Sequence, residues 1–302
     1  MLAILAPGQG SQTPSMLTAW LEDAELKNLL TSYSSAINLD LERLGTVADA
    51  DEIKDTANAQ PLIVAASLIS AHALSSDLHI SLVAGHSVGE IAAAALAGTI
   101  TDIDAMKLVH LRGQEMAKAA ALSPAGMAAV LGGERSVVLA AIKELGLVAA
   151  NDNGAGQIVA AGNLDALSQL APEGARVRAL AVAGAFHTPF MEPAVAPLRA
   201  MAADIETSAA KVSVISNRDG AVVRDGREVL DRIVNQIANP VRWDLCMETL
   251  RAQGVTGVIE LAPGGTLAGL IKRAAPEIEQ LALKSPADIA AAREFAARHG
   301  KA

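Results

Sequence analysis

Residues 85–89, Gly-His-Ser-Val-Gly, fit the pattern G-x-S-x-G, with an apolar run before them (80–84) and a helix-forming run after them (90–97). Flanking glycines permit the tight turn that lifts a serine hydroxyl clear of a sheet. The helix that follows offers unpaired N–H groups and the positive end of its dipole to a developing oxyanion. The pattern alone admits three readings of Ser87: a hydrolytic nucleophile, a nucleophile that passes an acyl group to something other than water, and a turn serine.

A serine nucleophile needs a base. Of the six histidines, His86 adjoins Ser87, His72 and His110 lie in helical runs, His79 precedes a strand, and His299 is near the end. His187 sits in "AGAFHTPF", a loop between a predicted strand and a helix, and such loops often carry catalytic groups. No Asp or Glu stands out by motif as the acid behind the histidine. "IVNQIANPVRW" supplies another orienter. In a helix the carbonyl of Gln236 pairs with the N–H four residues on, and Pro240 has none. That carbonyl is free to fix a histidine tautomer.

Ala105, Leu108, Arg112 and Met116 recur at helical spacing, which puts one cation on an apolar face. A buried guanidinium wants an anion. The anion is either an internal partner such as Glu90 or a substrate carboxylate held bidentately. The loop "PGQGSQ" (7–12) lacks the third glycine of a dinucleotide fingerprint and the lysine of a P-loop. Its backbone N–H groups can still reach the mouth of a Ser87 site.

Elements that alternate along the chain must position these groups. Short apolar strands are predicted at Leu2–Ala6, 80–84 and 255–261, and helices at 61–74, 102–120 and 193–205, which reads as an α/β fold with a parallel sheet. The middle differs. Strand-like 126–131, helical 137–145, strands 148–150 and 157–161, helical 164–170 and strand-like 176–182 give the order β-α-β-β-α-β. A small ferredoxin-like insert at 118–183 is therefore expected inside a larger α/β domain, 1–117 and 184–302. Aromatic residues are only 2 % of a chain that is 51 % hydrophobic, so the core must be Leu, Val, Ile and Ala. A net charge of -9 argues against a nucleic-acid partner. The lone cysteine, Cys246, is read as a core residue and fits a reducing, cytoplasmic setting. No signal segment and no membrane span are expected.

Taken together, "PGQGSQ" (7–12), "GHSVGE" (85–90), Arg112 with Met116, "NDNGAGQIVAAG" (151–162), "GAFHTPFM" (184–191), "QIANPVRW" (236–243) and "APGGTLAGLIKR" (262–273) resemble the malonyl-CoA:acyl-carrier-protein transacylases. The resemblance runs in order along nearly the whole chain. It implies an α/β-hydrolase-like core with a ferredoxin-like insert, and a ping-pong transfer of malonyl from malonyl-CoA to the phosphopantetheine thiol of acyl carrier protein. It makes Ser87 the acylated nucleophile and His187 the base, oriented by the Gln236 carbonyl. It gives the oxyanion to the N–H groups of Gln9 and Val88, and the malonyl carboxylate to Arg112. Phe186 resembles the bulky residue of malonyl-selective members. No metal or cofactor is implied, since malonyl-CoA is a substrate. An acidic carrier would need a local basic patch, for which Arg242, Lys272 and Arg273 are candidates. A serine hydrolase on the same elbow and a non-catalytic carrier-binding module are the rival readings.

Overall fold

Leu2–Ala6 is short, apolar and buried along its whole length, as a strand covered on both faces must be, and it forms the inner strand β1. The computed structural model describes residues 1–74 and 78–300. Among them the strands that follow are β2 (Leu82–Gly85), β3 (Ala125–Gly132), β4 (Val148–Asp152), β5 (Gln157–Asn163), β6 (Ala175–Ala179), β7 (Ser213–Ile215), β8 (Val222–Val223), β9 (Val241–Arg242), β10 (Gly257–Glu260) and β11 (Glu279–Ala282). The helices are α1 (Ala24–Ile37), α2 (Leu41–Thr46), α3 (Thr56–Leu74), α4 (Gly89–Leu96), α5 (Asp102–Ala120), α6 (Arg135–Glu144), α7 (Leu164–Gln169), α8 (Glu192–Asp204), α9 (Gly226–Gln236), α10 (Trp243–Ala252), α11 (Thr266–Ala274) and α12 (Ile289–His299).

The larger sheet has the order β11-β10-β1-β2-β7-β8, parallel except for the β7–β8 pair. Apolar side chains cover both of its faces. One cluster gathers α1, α3, α4 and α5 with Trp20 and Tyr33, and the other sets Trp243, Cys246, Leu267 and Ile271 against Ala3, Leu5 and Val258. Helix α4 is rich in alanine and buried from Gly89 to Ala95, so it lies close against the sheet below the Ser87 turn. Thr101 caps α5 by accepting from the Asp104 N–H.

The smaller sheet runs β6-β3-β5-β4-β9. Its first four strands carry the order β-α-β-β-α-β along the chain, and they are antiparallel to their neighbours. Helix α5 ends at Ala120, where the sequence reading expects it, and β3 starts at Ala125. The sheet also gains β9 from outside the insert, parallel to β4, so residues just after Pro240 lock the two sheets together.

Helix α3 begins at Thr56, before the expected start at Pro61. It is long and apolar enough to cross a membrane, a stretch that the sequence reading did not find. Its residues from Ala59 to Ser70 are all buried, and it packs on α5, α4 and α1. Gly113 permits part of this contact, since a Cβ there would lie 2.9 Å from the Thr56 carbonyl oxygen.

Candidate active site

The turn between β2 and α4 is as tight as its glycines suggest. A Cβ on Gly85 would sit 2.0 Å from backbone atoms of Gly89, and one on Gly89 would sit 2.3 Å from the Ala6 carbonyl oxygen. Ser87 between them has φ 53, a left-handed conformation that costs a non-glycine residue about 1–2 kcal/mol. Asn217, just after β7, braces the turn. Its Oδ1 accepts from the Ser87 N–H at 2.8 Å, and its Nδ2 donates to the Gly85 carbonyl at 2.8 Å. Sequence reasoning missed Asn217, and its only signal was a polar residue following an apolar run.

The Ser87 Oγ lies 2.7 Å from His187 Nε2. His187 Nδ1 lies 2.8 Å from the Gln236 carbonyl oxygen. A carbonyl only accepts, so Nδ1 carries the proton and Nε2 is left to accept from Ser87. The Gln236 carbonyl also accepts from the Asn239 N–H at 3.2 Å. It is therefore not free, as the missing Pro240 N–H suggested, but uses its second lone pair for the histidine. No carboxylate contacts His187 among the described residues. His187 itself has φ 61 and is buried. Burial first, and then the nearby Arg112 charge, push its pKa down to about 3. Four of the other five histidines are engaged elsewhere: His86 with Asn153, His72 with Asp102, His110 with Gln114 and His299 with Thr256.

Arg112 projects from α5 into the same layer and is 1 % exposed. It donates to Gln60 Oε1 at 2.7 Å, to Gln236 Oε1 at 3.0 Å and to Ser87 Oγ at 3.4 Å, while its buried Nε has no partner. The internal ion pair with Glu90 is not formed. Glu90 is reached instead through the Gln236 amide, whose Nε2 donates to Glu90 Oε2. With only neutral contacts around it, burial pulls the guanidinium pKa down to about 10 against the opposing charge of Glu90.

A cavity of about 530 Å³ opens over Ser87 and His187 between the two sheets. Gln9, Met116, Val159, Phe186 and the α11 residues Leu270 and Arg273 line it. The N–H groups of Gln9 and Val88 make no hydrogen bond among the described residues. Glu260 anchors the α11 wall by accepting from the N–H groups of Gly265, Leu267 and Ala268. Of the basic candidates, Arg273 sits at the cavity and donates to Gln157, Lys272 is exposed, and Arg242 is taken up by both oxygens of Asp244. Cys246 is buried, and that burial pushes its thiol well above the ordinary range.

The acyl transferase domain family matches residues 5–291. The malonyl CoA-acyl carrier protein transacylase of Mycobacterium tuberculosis is 52 % identical over 296 residues, covering 96 % of this chain and 98 % of that protein. The Escherichia coli K12 protein of the same name is 33 % identical, covering 97 % and 99 %. The crystal structure of the M. tuberculosis enzyme superposes with a TM-score of 0.94 at 51 % identity, over 97 % of this chain and 99 % of that one. That of a Burkholderia pseudomallei acyl-carrier-protein S-malonyltransferase gives 0.92 at 36 % identity, over 97 % and 99 %. A mixed α/β chain with a parallel sheet, a serine elbow, and a family match over nearly its full length therefore belongs to the malonyl-CoA:acyl-carrier-protein transacylases.

Proposed function

We propose that this protein transfers malonyl from malonyl-CoA to the phosphopantetheine thiol of an acyl carrier protein, in two steps through a malonyl ester on Ser87. His187 Nε2 takes the Ser87 proton as Oγ attacks the thioester carbonyl. The N–H groups of Gln9 and Val88 stabilise the oxyanion. Collapse breaks the C–S bond, and His187 returns its proton to the departing coenzyme A thiolate. In the second half the carrier thiol gives its proton to His187 and attacks the ester, and Ser87 leaves with that proton. The balance closes with protein groups and the two thiols, and it calls for no metal or cofactor.

One observation carries this reading best. The Ser87 oxygen lies 2.7 Å from a neutral histidine nitrogen and 3.4 Å from a buried guanidinium that no carboxylate contacts among the described residues. A malonyl ester on Ser87 brings a carboxylate of its own to Arg112, which an acetyl ester lacks. Phe186 is buried beside His187 and lines the cavity, so it is positioned to crowd an α-methyl group on the acyl chain. Arg273 lines the cavity and Lys272 beside it in sequence on α11 is exposed, and both suit an acidic carrier. We read the architecture as an α/β-hydrolase-like core, 1–117 and 184–302, interrupted by a ferredoxin-like unit at 118–183. A cytoplasmic location, with neither a nucleic acid nor a membrane as partner, completes the reading.

Intact-mass measurement after separate addition of malonyl-, methylmalonyl- and acetyl-CoA tests it. The expected result is a malonyl adduct on the wild type and none on Ser87→Ala. An adduct that persists in Ser87→Ala, or rapid release of free malonate with no thiol acceptor, would contradict it.

A further inference from the structure

Beneath Ser87 lies a buried carboxylate that the transfer scheme does not use. Glu90 is 2 % exposed on the first turn of α4. Its Oε1 accepts from the Asn217 N–H at 2.6 Å, and its Oε2 accepts from Gln236 Nε2. We propose that Glu90 is a positioning residue for Arg112: as a carboxylate it sets which way the Gln236 side-chain amide points, and so turns an oxygen toward the guanidinium under Ser87. The inference rests on the reading of Arg112 as the holder of the malonyl carboxylate.

The contacts leave one orientation for that amide. Gln236 Nε2 faces three acceptors: Glu90 Oε2, the Ser87 carbonyl at 3.1 Å and Asn217 Oδ1 at 3.1 Å. Gln236 Oε1 faces Arg112 Nη2 at 3.0 Å. An ionised carboxylate only accepts, so both Glu90 oxygens suit the N–H groups they meet. A protonated acid or an amide at position 90 sets a donor against Nε2. The Gln236 amide then keeps only the Ser87 carbonyl and Asn217 Oδ1 as acceptors, it is held less firmly, and a flip that presents N–H groups to the guanidinium, donor against donor, costs less. With that flip Arg112 loses an acceptor and its pose beneath Ser87. The backbone carbonyl of Gln236, which holds His187, is not reversed by such a flip. Glu90 thus acts on the selectivity arm of the site and not on the base. The ionisable groups acting on Glu90 are Arg112 from α5 and Arg232 from α9, which favour the carboxylate, and the Cys246 thiol from α10. Burial outweighs the hydrogen bonds and both cations, and the carboxyl pKa rises to about 7.

The test is the ratio of Ser87 loading rates from malonyl-CoA and acetyl-CoA, read by quenched intact mass. Glu90→Gln is expected to lower that ratio by about tenfold or more, the loss of one charge-assisted contact. An unchanged ratio, with both rates falling together, overturns the proposal as a mere loss of structure. The wild type gives a second readout that does not depend on a variant folding. Its ratio is expected to fall as pH drops through about 7 and Glu90 takes a proton, and a flat ratio from pH 8 to about 5.5 overturns the proposal. Arg112→Ala separates the two ideas. If Arg112→Ala lowers the ratio while Glu90→Gln and pH leave it flat, only the Glu90 inference fails. If Arg112→Ala leaves the ratio unchanged, the malonyl-holder reading fails as well.

Discussion

Two buried arginines lie close to helix α9, and their surroundings differ sharply. Arg232, on the helix, is held by two carboxylates: Nε and Nη2 donate to Glu228 Oε1 at 2.9 and 2.8 Å, and Nη1 donates to Asp219 Oδ1 at 2.7 Å. Burial works against its charge, but those bonds outweigh it and hold its pKa above the ordinary value. Arg112 meets the same helix one turn later, at Gln236, and finds only neutral oxygens. Its pKa falls and its Nε stays unpartnered. A structural arginine is neutralised by its own chain. Arg112 feels Glu90 only at a distance and has no carboxylate in contact among the described residues, beside the oxygen where an acyl group would be attached, so an arriving carboxylate would pair with it directly.

The contrast can be broken or sharpened by substitution. The largest effect belongs to the group that serves every acyl chain. His187→Ala should lower Ser87 loading from malonyl- and acetyl-CoA alike, by about 10²–10⁴-fold in a rapid-quench assay. With its pKa near 3, His187 stays neutral from pH 5 to 8. Acetyl loading should then show no limb near 6.5 once free thiol effects are matched, and such a limb would place the histidine outside this buried environment. Because the folded pKa lies below the unfolded value, His187 takes nothing from stability above about pH 6.5. It destabilises the fold progressively as pH falls from there toward 3, which acid unfolding would register.

Arg112→Ala comes next. Malonyl loading should fall by about 10²–10³-fold, and acetyl loading by less than tenfold. Equal losses would make Arg112 no different from Arg232. Phe186→Ser should raise methylmalonyl loading relative to malonyl by about 10–100-fold, the value of relieving one methyl clash, measured by competition between the two thioesters. The smallest effect is expected at the comparison residue. Arg232→Ala should cost about 1–2 kcal/mol in a denaturant titration, a modest figure because Asp219 and Glu228 are solvent-exposed. Read well above pH 7, where Glu90 stays a carboxylate without help from Arg232, its malonyl-to-acetyl ratio should stay within about twofold of the wild type, since Arg232 does not touch the cavity.

What the sequence made legible was local. GHSVG lies between a strand and a helix, so the Ser87 turn could be read from glycine chemistry alone. Arg112 betrayed itself by standing on an apolar helical face at regular spacing. Pro240 pointed to the Gln236 carbonyl, although the Asn239 N–H that shares it was not foreseen. What stayed hidden is made of side chains brought together from distant segments: Asn217 on the Ser87 turn, Gln60 on Arg112, and the Gln236 amide between Arg112 and Glu90. Amide orientation leaves no periodic signal, because it is decided by whichever donors and acceptors the fold sets around it. The two-residue strand β9 was equally unreadable. It pairs only because α9 ends where it does and β4 is there to receive it.

The most direct measurement is the structure of the protein with malonyl trapped on Ser87, for example in His187→Ala loaded slowly with malonyl-CoA. Both carboxylate oxygens should lie within about 3 Å of Arg112 nitrogens in a paired geometry, with the Arg232 ion pairs unchanged. A malonyl carboxylate turned toward the cavity mouth, with Arg112 still held only by Gln60 and Gln236, would contradict it.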